Sequence, residues 1–183
     1  MTTVILRPNA NYGVPSGYGN WSYTTSVAPY QDVDEVAADD GTTEWERTAS
    51  VTECCYLCGI PDLPADVGSI NKITSVIRGY STGTKSTKEP YAYATHHFAF
   101  YIGGVVYKGI GYKQQAGYTT SQEDWATNPN TGSAWTISVI NNLIIGATAD
   151  NVACDSSVFS RVTQLYIIVD YNVLVSGSGA ILI

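Results

Sequence analysis

The strongest constraint on the fold is an alternation of apolar and other side chains near the end of the chain. Within residues 161–175, one side of an extended chain carries Leu165, Ile167, Val169, Tyr171 and Val173. Because successive side chains of a β-strand point to opposite faces, this period of two predicts a long strand with one face in the core. The same alternation in residues 70–80 predicts a second long strand.

Shorter segments predict further strands and one hairpin. Residues 91–102 place alternate apolar side chains on one face, and the Gly103-Gly104 pair that follows is typical of a two-residue turn between strands. Residues 4–6 and 118–126 also favour strands. By contrast, residues 54–64 hold three cysteines and two prolines and are predicted to be irregular.

One segment favours a helix. Trp135, Val139 and Leu143 fall at helical spacing, and Ser133 is the predicted N-cap. Many short strands, a single helix and no strand–helix alternation predict an all-β fold, an antiparallel β-sandwich of jelly-roll type with one short helix. We expect the sandwich to span residues 1–175 and a Ser/Gly-rich flexible C-terminal tail to span residues 176–183.

Charged residues are scarce and their balance is acidic. They make up 14% of the chain, against about 25% in an average domain, and the formal net charge is -7. Nucleic-acid binding needs clustered Lys and Arg, so a nucleic-acid partner is not expected, and neither is an anionic membrane. Residues 1–8 lack the pattern of a secretory signal and no run approaches about 18 apolar residues, so we expect synthesis in a host cytoplasm.

Several short segments occur in an order that resembles a family of small jelly-roll proteins encoded among the structural genes of tailed bacteriophages and prophages. They span residues 2–173 and are Leu6-Arg7-Pro8-Asn9, Val33-Asp34-Glu35, Asp40-Gly41-Thr42-Thr43, Trp125-Ala126-Thr127-Asn128-Pro129, Gly132-Ser133-Ala134-Trp135-Thr136, Asn142-Leu143, Arg161-Val162-Thr163-Gln164-Leu165-Tyr166 and Val169-Asp170-Tyr171.

The resemblance implies a virion component without enzymatic activity, such as a capsid decoration, collar or tail-associated protein. Its expected partners are other virion proteins, namely major capsid, collar or tail subunits, and its own copies in a homo-oligomer. A trimer is favoured by analogy with decoration proteins at three-fold positions. The alternative is a carbohydrate-binding or host-receptor-recognition module of a tail or fibre, because jelly rolls commonly host lectin sites.

Candidate interface residues are aromatic or lie in the tail. Aromatic rings anchor protein interfaces and also stack on sugars, but they equally fill cores. The candidates are Tyr12, Tyr18, Trp21, Tyr23, Tyr30, Ile181, Leu182 and Ile183.

The cysteines leave three alternatives open. Cys54, Cys55 and Cys58 form a cluster, and Cys154 is distant in sequence. They are buried or free thiols, partners in a disulfide, or metal ligands, although no second paired half-motif supports a metal. Our hypothesis is a disulfide between Cys154 and one of the three clustered residues.

No catalytic or cofactor site is predicted. His96 and His97 are adjacent on a predicted strand, so they should point to opposite faces and suit one metal ion poorly. The acidic residues Asp32, Asp34, Glu35, Asp39 and Asp40 do not match a calcium-binding loop and favour a solvated one. The chain has no GxSxG elbow, and the adjacent Glu123 and Asp124 should point apart. We therefore expect a binding protein rather than an enzyme, with no cofactor.

Overall fold

A computed structural model describes residues 2–24, 28–48, 53–82, 95–112, 117–150 and 159–174. Two antiparallel sheets pack face to face, and we call them sheet I and sheet II. The strands are β1 (Thr2–Leu6), β2 (Ala10–Gly13), β3 (Ser22–Tyr23), β4 (Trp45–Thr48), β5 (Cys54–Gly59), β6 (Val67–Thr82), β7 (His96–Ile102), β8 (Val105–Lys108), β9 (Thr119–Trp125), β10 (Ile144–Ala149) and β11 (Phe159–Val173). The predicted antiparallel β-sandwich of jelly-roll type with one short helix is confirmed.

Among the described residues, sheet I has six strands in the order β3-β4-β11-β6-β9, with β1 also paired to β11. The alternation that predicted β11 is confirmed, because Leu165, Ile167 and Val169 are fully buried between the sheets. The strand predicted at residues 70–80 is β6, which pairs with β11 along most of its length. These two long strands form the centre of the sheet.

In the part of the chain that the structure describes, sheet II has five strands in the order β2-β5-β10-β7-β8. The prediction of an irregular segment at residues 54–64 is wrong in its first half, because Cys54–Gly59 is β5, a strand between β2 and β10. Its residues are buried on both faces of the sheet. A strand covered on both sides has no polar alternation, so period-two reasoning cannot find it.

The helix is shorter than its sequence pattern. It spans Ile137–Asn141, which we call α1, and its N-cap is Thr136, whose side chain accepts a hydrogen bond from the Val139 N–H. The predicted cap, Ser133, lies before the helix. Trp135 and Leu143 are buried as predicted for the apolar face, but they flank the helix and fill the core from both of its ends.

The hairpin between β7 and β8 turns at Gly103 and Gly104, as predicted. Their φ angles are 61° and 86°, which L-residues with side chains rarely adopt and which glycine tolerates. This turn lies at one end of sheet II. Among the helices in the described ranges, none is both long and apolar enough to cross a membrane.

Candidate functional site

The predicted interface aromatics fall into different environments. Tyr12 is exposed, with 54% of its surface accessible. Trp21 is buried and its indole N–H donates to the Ala147 carbonyl at 3.3 Å, so it serves the core rather than the surface. Tyr23 is half-buried and meets the ring of Tyr56 edge-on at 5.2 Å between centroids.

The other two aromatics are also partly covered. Tyr30 is half-buried against the core. Tyr18 is half-buried with its hydroxyl close to Glu53 and Cys55, and burial, followed by these two groups, raises its pKa above the usual value. Of the five, Tyr12 therefore presents the most accessible ring.

Tyr12 pairs with Tyr101 across sheet II. Tyr12 lies on β2 and Tyr101 on β7, and strands β5 and β10 separate them. Neighbouring strands are about 4.8 Å apart, so three spacings amount to about 14 Å. The ring centroids are nevertheless only 5.4 Å apart, with 52° between the ring planes. Both side chains must therefore lean towards each other over β5 and β10.

The pair forms one wall of an open depression of about 500 Å³, a volume within the range of small-molecule sites. We call it the tyrosine groove. It is lined by Tyr12, Gly59, Ile60, Tyr101, Gly103, Gly104, Asn141, Asn142, Leu143 and Ile144. The three glycines have no side chain to cover the backbone, so main-chain polar groups lie close to the groove surface.

Two asparagines at the end of α1 supply side-chain amides that are held in place. The side-chain oxygen Oδ1 of Asn141 accepts a hydrogen bond from the Leu63 N–H at 3.0 Å, a bond that does not use the side-chain NH₂ group. The NH₂ group of Asn142 donates to the Ser138 carbonyl at 2.8 Å, a bond that does not use its side-chain oxygen. The groove is thus bordered by one oriented amide donor and one oriented amide acceptor.

The groove lining is electrically neutral. Among the described residues, the lining contains no Asp, Glu, His, Lys or Arg. Desolvation, and then the neighbouring Tyr101 hydroxyl, raise the pKa of Tyr12 above its usual value, so this phenol stays protonated at physiological pH. Rings, amides and main-chain groups can stack on and hydrogen-bond a ligand, and none of the described lining residues is suited to proton transfer near neutral pH.

A second tyrosine pair has a different role. The rings of Tyr80 and Tyr118 are also 5.4 Å apart, but charged groups surround them. The Tyr118 hydroxyl donates to the buried carboxylate of Glu44, which also accepts from Arg161 Nη1 at 3.1 Å. Burial and the bond to Glu44 raise the pKa of Tyr118 to about 12. These contacts hold sheet I together.

The acidic stretch is partly buried rather than fully solvated. Asp32 is fully buried. The Thr43 hydroxyl lies 2.5 Å from Glu35 Oε1 and 2.7 Å from Asp39 Oδ2. A hydroxyl has one proton, so it satisfies both carboxyl groups when one of them is protonated; burial raises the pKa of Glu35 to about 7. No group of three metal-ligating side chains occurs in the described part of the chain.

The two histidines point to opposite faces, as predicted. His96 is fully buried, and its Nδ1 lies 3.2 Å from the hydroxyls of both Ser81 and Ser160. Burial lowers the pKa of His96 to about 4, so it is neutral. His97 points outwards, where its Nε2 lies 3.1 Å from Asp150 Oδ1. The pair does not converge on one metal position.

The clustered cysteines lie in β5. All three are buried, and Cys55 and Cys58 are free thiols. Burial raises the pKa of Cys55 to about 12 and raises that of Cys58 further, which suppresses the thiolates that bind metals or react. Cys154 and the tail residues Ile181, Leu182 and Ile183 lie outside the described residues, so their disulfide and interface roles stay predictions.

Tyr101, Asn141 and Asn142 line the groove but were not among the site residues predicted from the sequence. The alternation in residues 91–102 could have placed Tyr101 on the outer face of its strand, since the residues on either side of it belong to the apolar face. Nothing in the sequence links that strand to Tyr12 or to the end of α1. Only the order of strands in sheet II brings the three segments together.

No protein-family model matches the sequence, and no curated protein matches it. Similar solved structures include the CBM36-1 domain of a multidomain xylanase from the hindgut metagenome of Trinervitermes trinervoides, with a TM-score of 0.40 and 8% identity over 98% of this chain and 100% of that one. The Stig cyclase Fisc from Fischerella sp. TAU has a TM-score of 0.43 and 11% identity over 93% and 99%.

A third similar structure is the enzymatically active domain of tailspike protein 4 from bacteriophage CBA120, with a TM-score of 0.41 and 11% identity. It covers 94% of this chain, which spans 19% of the tailspike chain. These likenesses are too distant to indicate a function. The fold assignment rests on the sheets described above.

Proposed function

We propose that the protein is a non-catalytic carbohydrate-binding module and that the tyrosine groove is its binding site. The observation that carries the proposal is an accessible tyrosine pair beside two oriented asparagine amides in a groove without charge. This reverses the order of the two hypotheses drawn from the sequence, in which virion decoration came first.

Ring stacking supports the proposal. A pyranose ring has an apolar face of C–H groups and a rim of hydroxyls, so its recognition needs an aromatic surface together with polar groups at the side. Tyr12 offers the accessible ring, and Tyr101 on β7 contacts it from across strands β5 and β10. Tyrosine has few rotatable bonds, so little conformational entropy is lost when a ligand binds.

The polar rim also suits a sugar. A hydroxyl is both donor and acceptor, and the NH₂ of Asn141 and the side-chain oxygen of Asn142, which these two bonds do not use, offer the complementary groups. The lack of charge in the lining, together with the net charge of -7 on the whole chain, favours a neutral glycan over an acidic one.

A panel of immobilised neutral and acidic polysaccharides tests the proposal. We expect the protein to bind at least one neutral glycan, and Tyr12→Ala and Tyr101→Ala each to weaken binding roughly tenfold, about 1.4 kcal/mol. Tyr80→Ala is the matched control, because it removes a ring from a pair with the same centroid separation. The proposal fails if no glycan is retained, or if the control loses as much affinity as the groove variants.

Subunit packing in a phage particle is the second candidate. Strand β1 supports this candidate. In the described part of the chain it pairs only with β11, and it contains no charged residue. Ile5 on this strand is 51% exposed. An uncharged edge strand is a template for pairing with another chain. Capsid decoration, and a trimer at three-fold positions, belong to this candidate.

Solution mass and co-purification test the second candidate. Packing through β1 predicts a mass above the monomer by light scattering, and Ile5→Lys should reduce it because a charge on an edge strand opposes strand pairing. The exposed residue Ile110 provides the control Ile110→Lys. A wild-type monomer at high concentration that does not sediment with capsid, collar or tail subunits would contradict it.

A further inference from the structure

A second charge-free groove lies beside the first. It is formed by residues 68–70 of β6 and residues 134–138 before and within α1, and it holds about 450 Å³. Neither segment contributes an Asp, Glu, His, Lys or Arg to the lining. We call it the helix groove.

The two grooves adjoin at α1. Ser138 lines the helix groove and Asn142 lines the tyrosine groove, and the Asn142 NH₂ group donates to the Ser138 carbonyl at 2.8 Å. The ridge between the grooves is therefore one turn of helix. Its start is fixed by the N-cap, in which the Val139 N–H donates to Thr136 Oγ1 at 3.2 Å.

The helix groove also offers apolar surface and hydrogen-bonding groups, here mainly from aliphatic side chains and hydroxyls. Ile137 is 37% exposed and Ile70 is half-buried, so both leave aliphatic surface accessible. Ser69 provides a hydroxyl whose oxygen already accepts from the Asn172 NH₂ at 3.0 Å, which fixes its position. Apolar surface bordered by oriented hydroxyls, without charge, matches the alternating C–H faces and hydroxyls of a neutral sugar chain.

We propose that one neutral oligosaccharide crosses α1 and occupies both grooves, so that the ligand is a chain of several sugars rather than a single one. This inference rests on the proposed function of the tyrosine groove. The two groove surfaces are continuous across one helical turn, and their described linings both lack charge. We therefore assign one neutral oligosaccharide to both grooves. The tyrosine groove holds one end of the ligand, and the helix groove extends the binding site to the sugars that follow.

Titration with a length series of one neutral glycan tests the inference. Affinity should rise with length until both grooves are filled and then level off. Ile137→Ala should weaken the longest ligand roughly five- to tenfold, because it removes three carbons of contact surface, and leave the shortest ligand unchanged. Alanine is a good helix former, so α1 should persist. Ser69→Ala provides a second variant outside the helix, and Ile110→Ala is the control.

The outcomes separate the two proposals. If the wild-type protein binds no glycan of any length, the proposed function fails and this inference fails with it. If it binds short and long ligands equally, or if Ile137→Ala and Ser69→Ala both leave the long ligand unaffected, only the extension across α1 is overturned. An equal loss of affinity for short and long ligands in both variants also overturns the extension of the binding site across α1, since the helix groove would then contribute nothing specific to ligand length.

Discussion

Two tyrosine pairs with the same ring separation lie on different sheets and differ in what surrounds them. Tyr12 and Tyr101 border a neutral groove on sheet II, whereas Tyr80 and Tyr118 lie beside the ion-paired Glu44 on sheet I. The Tyr118 hydroxyl is used within the protein. The difference teaches that ring proximity alone does not mark a binding site; the charge and hydrogen bonding around the rings decide whether a pair is free to bind or is part of the framework.

Lowering the pH should remove a stabilising contribution from the sandwich interior and leave glycan binding in the tyrosine groove unchanged. We expect this to be the largest of the predicted effects. His96 has a folded pKa of about 4, below the roughly 6.5 of an unfolded histidine, so the unfolded state binds the proton first. The contribution of His96 to stability is full above about pH 6.5 and falls by about 3 kcal/mol as the pH drops to about 4. Glycan affinity should stay constant while the protein is folded, because no described residue of the groove lining titrates in this range.

Urea unfolding at pH 7 and pH 4.5 measures the change in stability. Glu35 acts with the opposite sign, since its folded pKa of about 7 lies above that of an unfolded glutamate and its contribution is lost as the pH rises through about 7. The His96→Gln variant isolates the histidine, because any difference between variant and wild type in the stability change from pH 7 to pH 4.5 belongs to His96. If the wild-type protein and His96→Gln change in stability by the same amount between the two pH values, the assignment of this change to His96 is refuted.

Removing single hydroxyls should sharpen the contrast between the pairs. Tyr118→Phe deletes the donor to a buried carboxylate and should lower the free energy of unfolding by about 1.5–3 kcal/mol. Tyr12→Phe, at an exposed ring, should change it by less than about 0.5 kcal/mol. Denaturant unfolding of both variants checks this, and equal losses would mean that the groove pair is also part of the framework.

The strand pattern explains why some of this was predictable from the sequence. β11 and β6 each face the core with one side, so their alternation shows in the residues, and the glycine pair at 103–104 marks its own turn. β5 was missed because both of its faces are buried. Tyr12 was found as an aromatic in a Gly- and Pro-rich segment, but its partners on β7 and α1 are joined to it only through long-range strand pairing, which a single sequence does not encode locally.

Salt should give the smallest effect. Raising the ionic strength from 0.1 M to 1 M shortens the screening length from about 10 Å to about 3 Å. The pair between Arg78 Nε and Asp40 Oδ1, 2.8 Å apart at the surface of sheet I, should then contribute less, changing stability by under about 1 kcal/mol. Affinity for a neutral glycan should change by less than about twofold, as calorimetric titration can measure. A strong salt dependence would indicate a charged ligand or a different site.

The most direct test of the central claim is an NMR titration of the tyrosine-labelled protein with a neutral oligosaccharide. If the tyrosine groove is the binding site, the ring signals of Tyr12 and Tyr101 shift on binding, and those of Tyr80 and Tyr118 do not. Shifts confined to Tyr80 and Tyr118, or no shift in any ring at ligand concentrations that saturate neutral-glycan binding, would contradict it.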